Sequence, residues 1–478
     1  MTDAAYPDLA LVIDGEVIGA GARDGIDVID PATGDTLGVL PKATRADLDR
    51  ALDAAQRSYR DWRATPLDTR VGILKKTAAL IRERAKDIGR IATREQGKPL
   101  KEAIGETIYA ANLFEWMAEE SRRTYGRVLV RPPGQLARVT YEPVGPVAAF
   151  APWNFPALNV ARKLAPALAA GNAIIVKPAE ETPGTALAIL QALIDAGLPA
   201  GAAQMVFGDP AEVSGHLLAS PTIRKLSFTG SVPVGKHLMK LAADHAIRTT
   251  MELGGHAPVL VFDDADIDRT LDLIAPNAFR NSGQVCVSPT RFYVQSGVYD
   301  RFVKAFGERV ATMKVGNGLD DATTMGPLAN PRRPEAVGRM VDDARAKGAR
   351  VVAGGERIDG PGMYFQPTVL ADVPIEADIM NDEPFGPVAL FCPFDTPDEA
   401  IEQANRLPFG LASYVFTENG RQANRVADLI EAGMVAVNHG SVSAIDAPFG
   451  GIKDSGHGLE DGAEGLKAFM VSKTVHQA

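Results

Sequence analysis

From about residue 146 the chain alternates short apolar runs with helical stretches, and few architectures accept that pattern. Pro146–Phe150, Ala173–Val176, Gln204–Phe207 and Lys225–Phe228 are each followed by 8–15 residues of helical character. Parallel strands need helical crossovers, so four such units in about a hundred residues predict an α/β fold with a parallel, doubly wound sheet. Such sheets bind ligands outside the carboxyl ends of their strands. The alternation returns between about 256 and 440, with Pro258–Phe262, Arg291–Gln295, Val351–Ala353 and Val388–Phe391 as expected strands of a second α/β domain. Thr124–Tyr141 alternates apolar and polar residues around Pro132-Pro133-Gly134 and reads as a β-hairpin projecting from the first domain. Upstream, Thr44-Arg45-Ala46-Asp47 resembles a capping box opening a helix. A second helical stretch is expected from about Asp68 to Glu95, stopping at Gly97-Lys98-Pro99, and Phe114, Trp116 and Met117 beyond it read as core.

Composition narrows the function classes. A formal charge of -10 argues against nucleic acid and anionic membranes as partners but leaves a small acidic substrate open. No apolar run approaches the ~20 residues of a membrane span. Met1 to Ala20 holds no Lys or Arg, so no targeting segment is expected. Two cysteines, 106 positions apart, make no disulfide framework and suit a reducing, cytoplasmic setting.

Six constellations carry chemistry. Cys286 ends Asn281-Ser282-Gly283-Gln284-Val285-Cys286, and Glu252 lies 34 residues upstream in Met251-Glu252-Leu253-Gly254-Gly255. A thiolate can hold a carbonyl carbon covalently, and a carboxylate can activate the water that releases it. Phe228-Thr229-Gly230-Ser231 follows an expected strand and opens a helix, a place where N–H groups and a hydroxyl can hold a pyrophosphate. Lys177-Pro178-Ala179-Glu180 ends another strand, where a Lys and a Glu suit ribose hydroxyls. Pro152-Trp153-Asn154-Phe155-Pro156 is a stiff loop whose Asn amide can donate to a developing oxyanion. Glu383-Pro384-Phe385-Gly386-Pro387 is a rigid acidic turn, and Asn438 with Pro448-Phe449-Gly450-Gly451 forms a third loop group. Alone, each has a plainer account: a buried thiol, a helix cap, a surface ion pair or an Asn satisfying a turn.

Together and in this order they resemble the aldehyde dehydrogenase superfamily. The likeness runs from Asp30-Pro31-Ala32-Thr33-Gly34 to Phe449-Gly450-Gly451-Ile452-Lys453 and on through Gly458. It implies Cys286 as nucleophile, Glu252 as base for thioester hydrolysis, and Asn154 as oxyanion donor beside the Cys286 backbone N–H. Lys177 and Glu180 would hold the adenosine ribose, Ser231 the pyrophosphate and Glu383 the nicotinamide ribose. Trp153, Gly230, Leu253 and Phe385 complete the implied cofactor set. NAD is the expected cofactor, NADP the less favoured one, and no metal is expected. The implied organisation is an NAD-binding domain over 1–123 and 142–253, a catalytic domain over 254–440, and bridging β elements over 124–141 and 457–478 that build a homodimer or homotetramer.

Within the superfamily the chain looks like the semialdehyde branch. Arg162, eight residues after Asn154, Arg280, six before Cys286, and Ser443, five after Asn438, stand where succinate-semialdehyde dehydrogenases grip the far carboxylate of their substrate. Gly254-Gly255-His256-Ala257-Pro258 and Gln284-Val285-Cys286-Val287-Ser288-Pro289 are similar to 2-oxoglutarate-semialdehyde dehydrogenases. A guanidinium pair suits a carboxylate through forked hydrogen bonds. The implied reaction is therefore NAD(P)-dependent oxidation of a short carboxylate-bearing aldehyde, with a general aliphatic or aromatic aldehyde dehydrogenase as the alternative. Two positions depart from the branch. Ser288 stands where some members have a second, redox-active cysteine, and Asp446 is an acid expected near the carboxylate end. Glu252 favours hydrolysis over transfer to coenzyme A, and the full catalytic set argues against a silent structural protein.

Overall fold

The computed structural model describes residues 6–478, so Met1–Ala5 of the N-terminal segment lie outside the described residues. Its first sheet has eight strands, with a parallel centre in the order Ala203–Met205, Ile174–Lys177, Val147–Phe150, Lys225–Thr229 and Arg248–Glu252. Val147–Phe150 and Ile174–Lys177 at its heart are fully buried and almost continuously apolar, as parallel strands covered on both faces must be. The parallel strands start at the centre with Val147–Phe150, build outward to Ala203–Met205, then return to place Lys225–Thr229 on the other side of Val147–Phe150. That reversal opens a crevice beyond Phe150 and Thr229. Trp153-Asn154 and Gly230-Ser231 are the residues that follow those two strand ends.

The four expected strands of this sheet all form, within one or two residues. Arg248–Glu252 was not anticipated, because its sequence RTTME lacks an apolar run. Glu252 therefore ends a buried strand, where the sequence suggested only a Gly-containing turn. Five residues later Ala257 begins a strand of the second sheet.

That sheet runs Arg350–Ala353, Thr368–Ala371, Val388–Phe394, Pro289–Gln295, Ala257–Val261, Ala412–Phe416 and Met434–Val437, parallel except for the first. Thr368–Ala371, Ala412–Phe416 and Met434–Val437 are additions to the expected set. Apolar clusters pack on both faces, with Phe292 and Phe391 stacked at 4.6 Å between centroids. Cys286 lies three residues before Pro289–Gln295, at the amino end of this sheet, facing the carboxyl end of the first.

The hairpin of Arg127–Leu129 and Leu136–Pro143 forms a three-stranded sheet with Met470–Gln477, whose pairing runs from Met470↔Pro143 to Gln477↔Leu136. The stretch 457–478, expected as bridging, divides. His457 pairs with Met251 in the first sheet, Glu460 and Asp461 are buried, and only Met470–Gln477 joins the hairpin. Thr44 caps Arg45–Ala64 with the full capping box to Asp47. The stretch Asp68–Glu95 is two helices, Leu67–Glu83 and Ala85–Gln96, broken where Arg84 takes φ -93 and ψ 6. Glu83, Arg84 and Ala85 are good helix formers, so packing rather than propensity sets the break. Gly97, at φ 97, ends the second helix as expected.

Candidate active site

A cavity of about 450 Å³ lies where the two sheets meet, and its walls carry Asn154, Arg162, Glu252, Arg280, Cys286, Glu383 and Ser443. A cleft of about 740 Å³ shares Trp153, Gly230 and Ser231 with that cavity and adds Lys177 and Glu180. Leu253 and Phe385 also line the first cavity. Every side chain singled out for the catalytic, cofactor and substrate sets thus borders one of two adjoining spaces.

The approach to Cys286 is locally strained. Asn281 and Ser282 sit at φ 50 and 55, a region costly for residues with a Cβ. Gly283, at φ 70, lies so close to Gly386 that an added Cβ would come within 2.0 Å of its carbonyl oxygen. Buried hydrogen bonds hold the turn in place. The Asn281 N–H donates to Glu102 Oε2 at 2.9 Å, Ser282 Oγ donates to the Gly326 carbonyl at 2.8 Å, and Gln284 Oε1 accepts from the Ala329 N–H at 3.0 Å. Burial pushes the Cys286 thiol up to about 12, and Glu383 adds to the shift while Arg162 opposes it. The thiol is neutral at pH 7 in this form.

Asn154 is oriented at both ends of its carboxamide. Its Oδ1 accepts from Asn159 Nδ2 at 3.1 Å, and its Nδ2 donates to the Gln284 carbonyl at 3.1 Å. One N–H remains for the cavity. Glu252 is 2% exposed, and neither of its oxygens has a hydrogen-bond partner among the described residues. Burial, and then repulsion from Glu460, raise its carboxyl well above the usual range. Behind it Lys163 is ion-paired with Glu460 and donates to Thr229 Oγ1 at 2.7 Å.

On the cofactor side, Ser231 is the N-cap residue of Val232–Ala243, yet its hydroxyl does not cap the helix. The hydroxyl and the first helical N–H groups are therefore available to a phosphate. Lys177 and Glu180 form an ion pair at 2.5 Å at the carboxyl end of Ile174–Lys177. Glu383 Oε1 accepts from the Gly255 N–H at 3.1 Å, and burial pushes its carboxyl up to about 7. Trp153 and Phe385 meet edge to face at 5.5 Å. A hydroxyl-and-amide cradle, an acid at each end and an aromatic pair fit a dinucleotide with two riboses.

The three substrate candidates are not equivalent. Arg162 is buried and forked onto Asp461, with Nε to Oδ1 at 3.1 Å and Nη2 to Oδ2 at 2.5 Å. Its Nη2 also reaches Ser443 Oγ at 3.5 Å. Arg280 is exposed to the cavity, lies over the Phe155 ring at 5.3 Å, and has no carboxylate partner among the described residues. Ser443 Oγ is 3.2 Å from the Tyr109 hydroxyl. Asp446 is exposed and is not part of the cavity wall. Asn438 does turn chemistry only, its carboxamide bonding both backbone groups of Thr417.

Lys98, Glu106, Lys163, Glu460 and Asp461 were missed by sequence reasoning. A signal existed for Lys163: Arg162-Lys163 are the only charges in Pro156–Ala170, a helix that is otherwise apolar nearly all round and so must be buried. Buried charges require partners, but the sequence does not say which acids supply them.

Comparison with known proteins agrees with this geometry. The model of the aldehyde dehydrogenase family matches residues 18–475. The chain is 47% identical to a 4-(hydroxymethyl)benzenesulfonate dehydrogenase of Comamonas testosteroni, covering 100% of this chain and 99% of that protein. It is 43% identical to the succinate-semialdehyde dehydrogenase [NADP(+)] GabD of Escherichia coli K12, over 97% of this chain and 96% of that one. A crystal structure of succinate-semialdehyde dehydrogenase from Burkholderia pseudomallei superposes with a TM-score of 0.97 at 42% identity, covering 100% of this chain and 99% of the other. The chain belongs to the aldehyde dehydrogenase family and is an oxidoreductase acting on aldehydes.

Proposed function

We propose that the protein oxidises a short aldehyde bearing a distal carboxylate, such as succinate, glutarate or 2-oxoglutarate semialdehyde, to the acid. The observation that carries this is Arg280, a cation in the cavity wall that makes no salt bridge to a carboxylate among the described residues. A carboxylate there would gain a charge-assisted, forked hydrogen bond. Ser443, held between Arg162 and Tyr109, supplies a second polar contact. Phe155 and Phe449 line the same cavity, each under a guanidinium, at 5.3 Å for Arg280 and 4.2 Å for Arg162. Those ring faces favour a second reading, an aromatic aldehyde with an anionic substituent, in keeping with the sulfonate in the Comamonas relative's name.

In the mechanism, the Cys286 thiol loses its proton and attacks the aldehyde carbon. The free N–H of Asn154 and the Cys286 backbone N–H hold the resulting oxyanion, and one such donor is worth roughly 3–4 kcal/mol. When bound, NAD(P) would supply the hydride acceptor and a positive ring charge, which would favour the thiolate. Loss of hydride from the thiohemiacetal leaves a thioester on Cys286. Glu252 then takes a proton from water, whose oxygen attacks the thioester and frees the acid. Glu383, Ser231, Lys177 and Glu180 would hold the cofactor. Glu180 favours NAD, because a carboxylate accepts from a ribose 2′-hydroxyl and repels a 2′-phosphate. The bridging sheet exposes Tyr125 at 74%, Val128 at 75% and Val130 at 95%, a surface suited to a homodimer or homotetramer contact.

The test is kcat/KM for succinate semialdehyde, 4-formylbenzenesulfonate, butanal and benzaldehyde, each with NAD and NADP. The proposal expects succinate semialdehyde to lead. A lead for 4-formylbenzenesulfonate selects the aromatic anion, and a lead for butanal or benzaldehyde rejects a distal anion altogether.

A further inference from the structure

Three buried ion pairs surround the cavity, and the mechanism uses none of the groups in the pair Lys98–Glu106. Lys98 is 1% exposed, and its Nζ donates to Glu106 Oε2 at 2.6 Å. The same Nζ donates at 2.7 Å to the backbone carbonyl of Asn154 and lies 4.0 Å from the centre of the Phe155 ring. Glu106 uses its other oxygen to accept from the Ala157 and Leu158 N–H groups, at 2.8 and 3.1 Å, at the start of Pro156–Ala170. One ion pair therefore grips both ends of residues 154–158. The cation takes the carbonyl that enters the turn, and the anion takes the amides that leave it.

A third residue joins this grip to the cysteine loop. Asn281 Nδ2 donates at 2.8 Å to the same Asn154 carbonyl and at 3.3 Å to the Gln284 carbonyl. The Gln284 carbonyl is also where the Asn154 carboxamide donates. The backbone and the side chain of Asn154 are thus tied, through two donors and one shared acceptor, to the peptide two residues before Cys286.

We propose that Lys98, balanced by Glu106 and helped by Asn281, is a positioning residue that aims the free N–H of Asn154 at the oxyanion formed on Cys286. It acts through Asn154 and does not touch substrate or cofactor. The proposal rests on the assignment of Asn154 as oxyanion donor made above. A buried charge suits the task because its bonds are not exchanged with water, and a carbonyl held by two donors cannot rotate without breaking both. Oxyanion stabilisation demands such stiffness, since the donor must meet the position the oxygen reaches, not the one where it starts.

The experiment is a double-mutant cycle on the NAD-bound enzyme, reading the pre-steady-state burst of NADH with saturating aldehyde. Cofactor affinity and the melting temperature are followed alongside. Lys98→Met is expected to slow the burst by about a hundredfold, the cost of a misplaced catalytic group, with NAD affinity unchanged. In an Asn154→Ala background the same change should cost almost nothing further, because the group it aims is gone. An equal fold-loss in both backgrounds would show that Lys98 serves the fold and overturns the proposal, as does a burst that Lys98→Met leaves untouched. Asn154→Ala with an unimpaired burst would instead refute the oxyanion assignment itself. If Lys98→Met yields no folded protein, because Glu106 is stranded as a buried charge, Asn281→Ala removes the neutral donor to the same carbonyl. Its loss should likewise vanish in the Asn154→Ala background, and a loss that persists there overturns the proposal in the same way.

Discussion

The two ends of the catalytic cavity are built differently. Around Cys286 nearly every polar group is buried and bonded: Asn154 to Asn159 and Gln284, Asn281 to Glu102 and Asn154, Lys98 to Glu106. Elsewhere on its wall Arg280 is exposed and makes no salt bridge among the described residues, and the Ser443 hydroxyl meets Tyr109 and Arg162. In the proposed mechanism the chemistry would be held by a buried, hydrogen-bonded network, while substrate choice would rest on a few less buried groups. Glu252 is the exception at the rigid end, buried with no hydrogen-bond partner for either oxygen among the described residues. An unpaired buried acid is costly, which is the expected condition of a group kept ready for a water that arrives with the reaction.

The largest effect should come from the rigid end. Cys286→Ala is expected to cut turnover by at least roughly 10⁴-fold, in keeping with removal of an essential nucleophile, while NAD still binds. Activity near wild type with NAD binding intact would remove Cys286 from the mechanism.

Next, Glu252→Gln is expected to slow turnover by about 10²- to 10⁴-fold, the usual reach of general-base catalysis, while the NADH burst survives. A burst that collapses, with no acyl-enzyme in the mass spectrum, would give Glu252 another role. The pH profile sharpens the test. Burial and Glu460 raise the Glu252 carboxyl, so it is protonated below that raised pKa and basic above it. Thioester hydrolysis should rise as pH climbs through that point, and Glu252→Gln should remove the slope.

The arginines break the comparison from inside. Arg280→Ala should lower kcat/KM for an anionic aldehyde by about ten- to a hundredfold, one or two charge-assisted bonds, and leave butanal nearly unchanged. Arg162→Ala strands Asp461, which is 0% exposed at its side chain, and should destabilise the protein by about 3–5 kcal/mol. It should therefore depress both substrates and the melting temperature together. Equal responses from Arg280→Ala with both aldehydes would make Arg280 structural and leave the cavity without a cation assigned to substrate alone.

The smallest effect concerns the cofactor. Glu180→Ser is expected to raise NADP efficiency relative to NAD by roughly tenfold, by removing one like charge from the 2′ position. An unchanged ratio would show that the carboxylate already turns away from the ribose.

Much of this was legible in the chain because it depends on local pattern. Alternation of Pro146–Phe150, Ala173–Val176, Gln204–Phe207 and Lys225–Phe228 with helices sufficed for a parallel sheet, and all four form. Trp153-Asn154 and Gly230-Ser231 could be placed at strand ends for the same reason. Arg248–Glu252 and the break at Arg84 were not legible. The strand has no apolar run, and the break has no helix-breaking residue.

Residue type put Cys286, Glu252 and Asn154 forward as candidates, and the resemblance to a known family gave them their roles, since its motifs are short-range features of the chain. Only the tertiary structure decided how their partners are shared. Asp461 lies 299 positions from Arg162, and Glu460 lies 297 from Lys163. No local pattern links residues so far apart. The fold had to bring them together before Arg162 could be forked onto an acid, while Arg280 makes no salt bridge among the described residues. A buried charge must find a counter-charge, and which one it finds is a property of packing rather than of sequence.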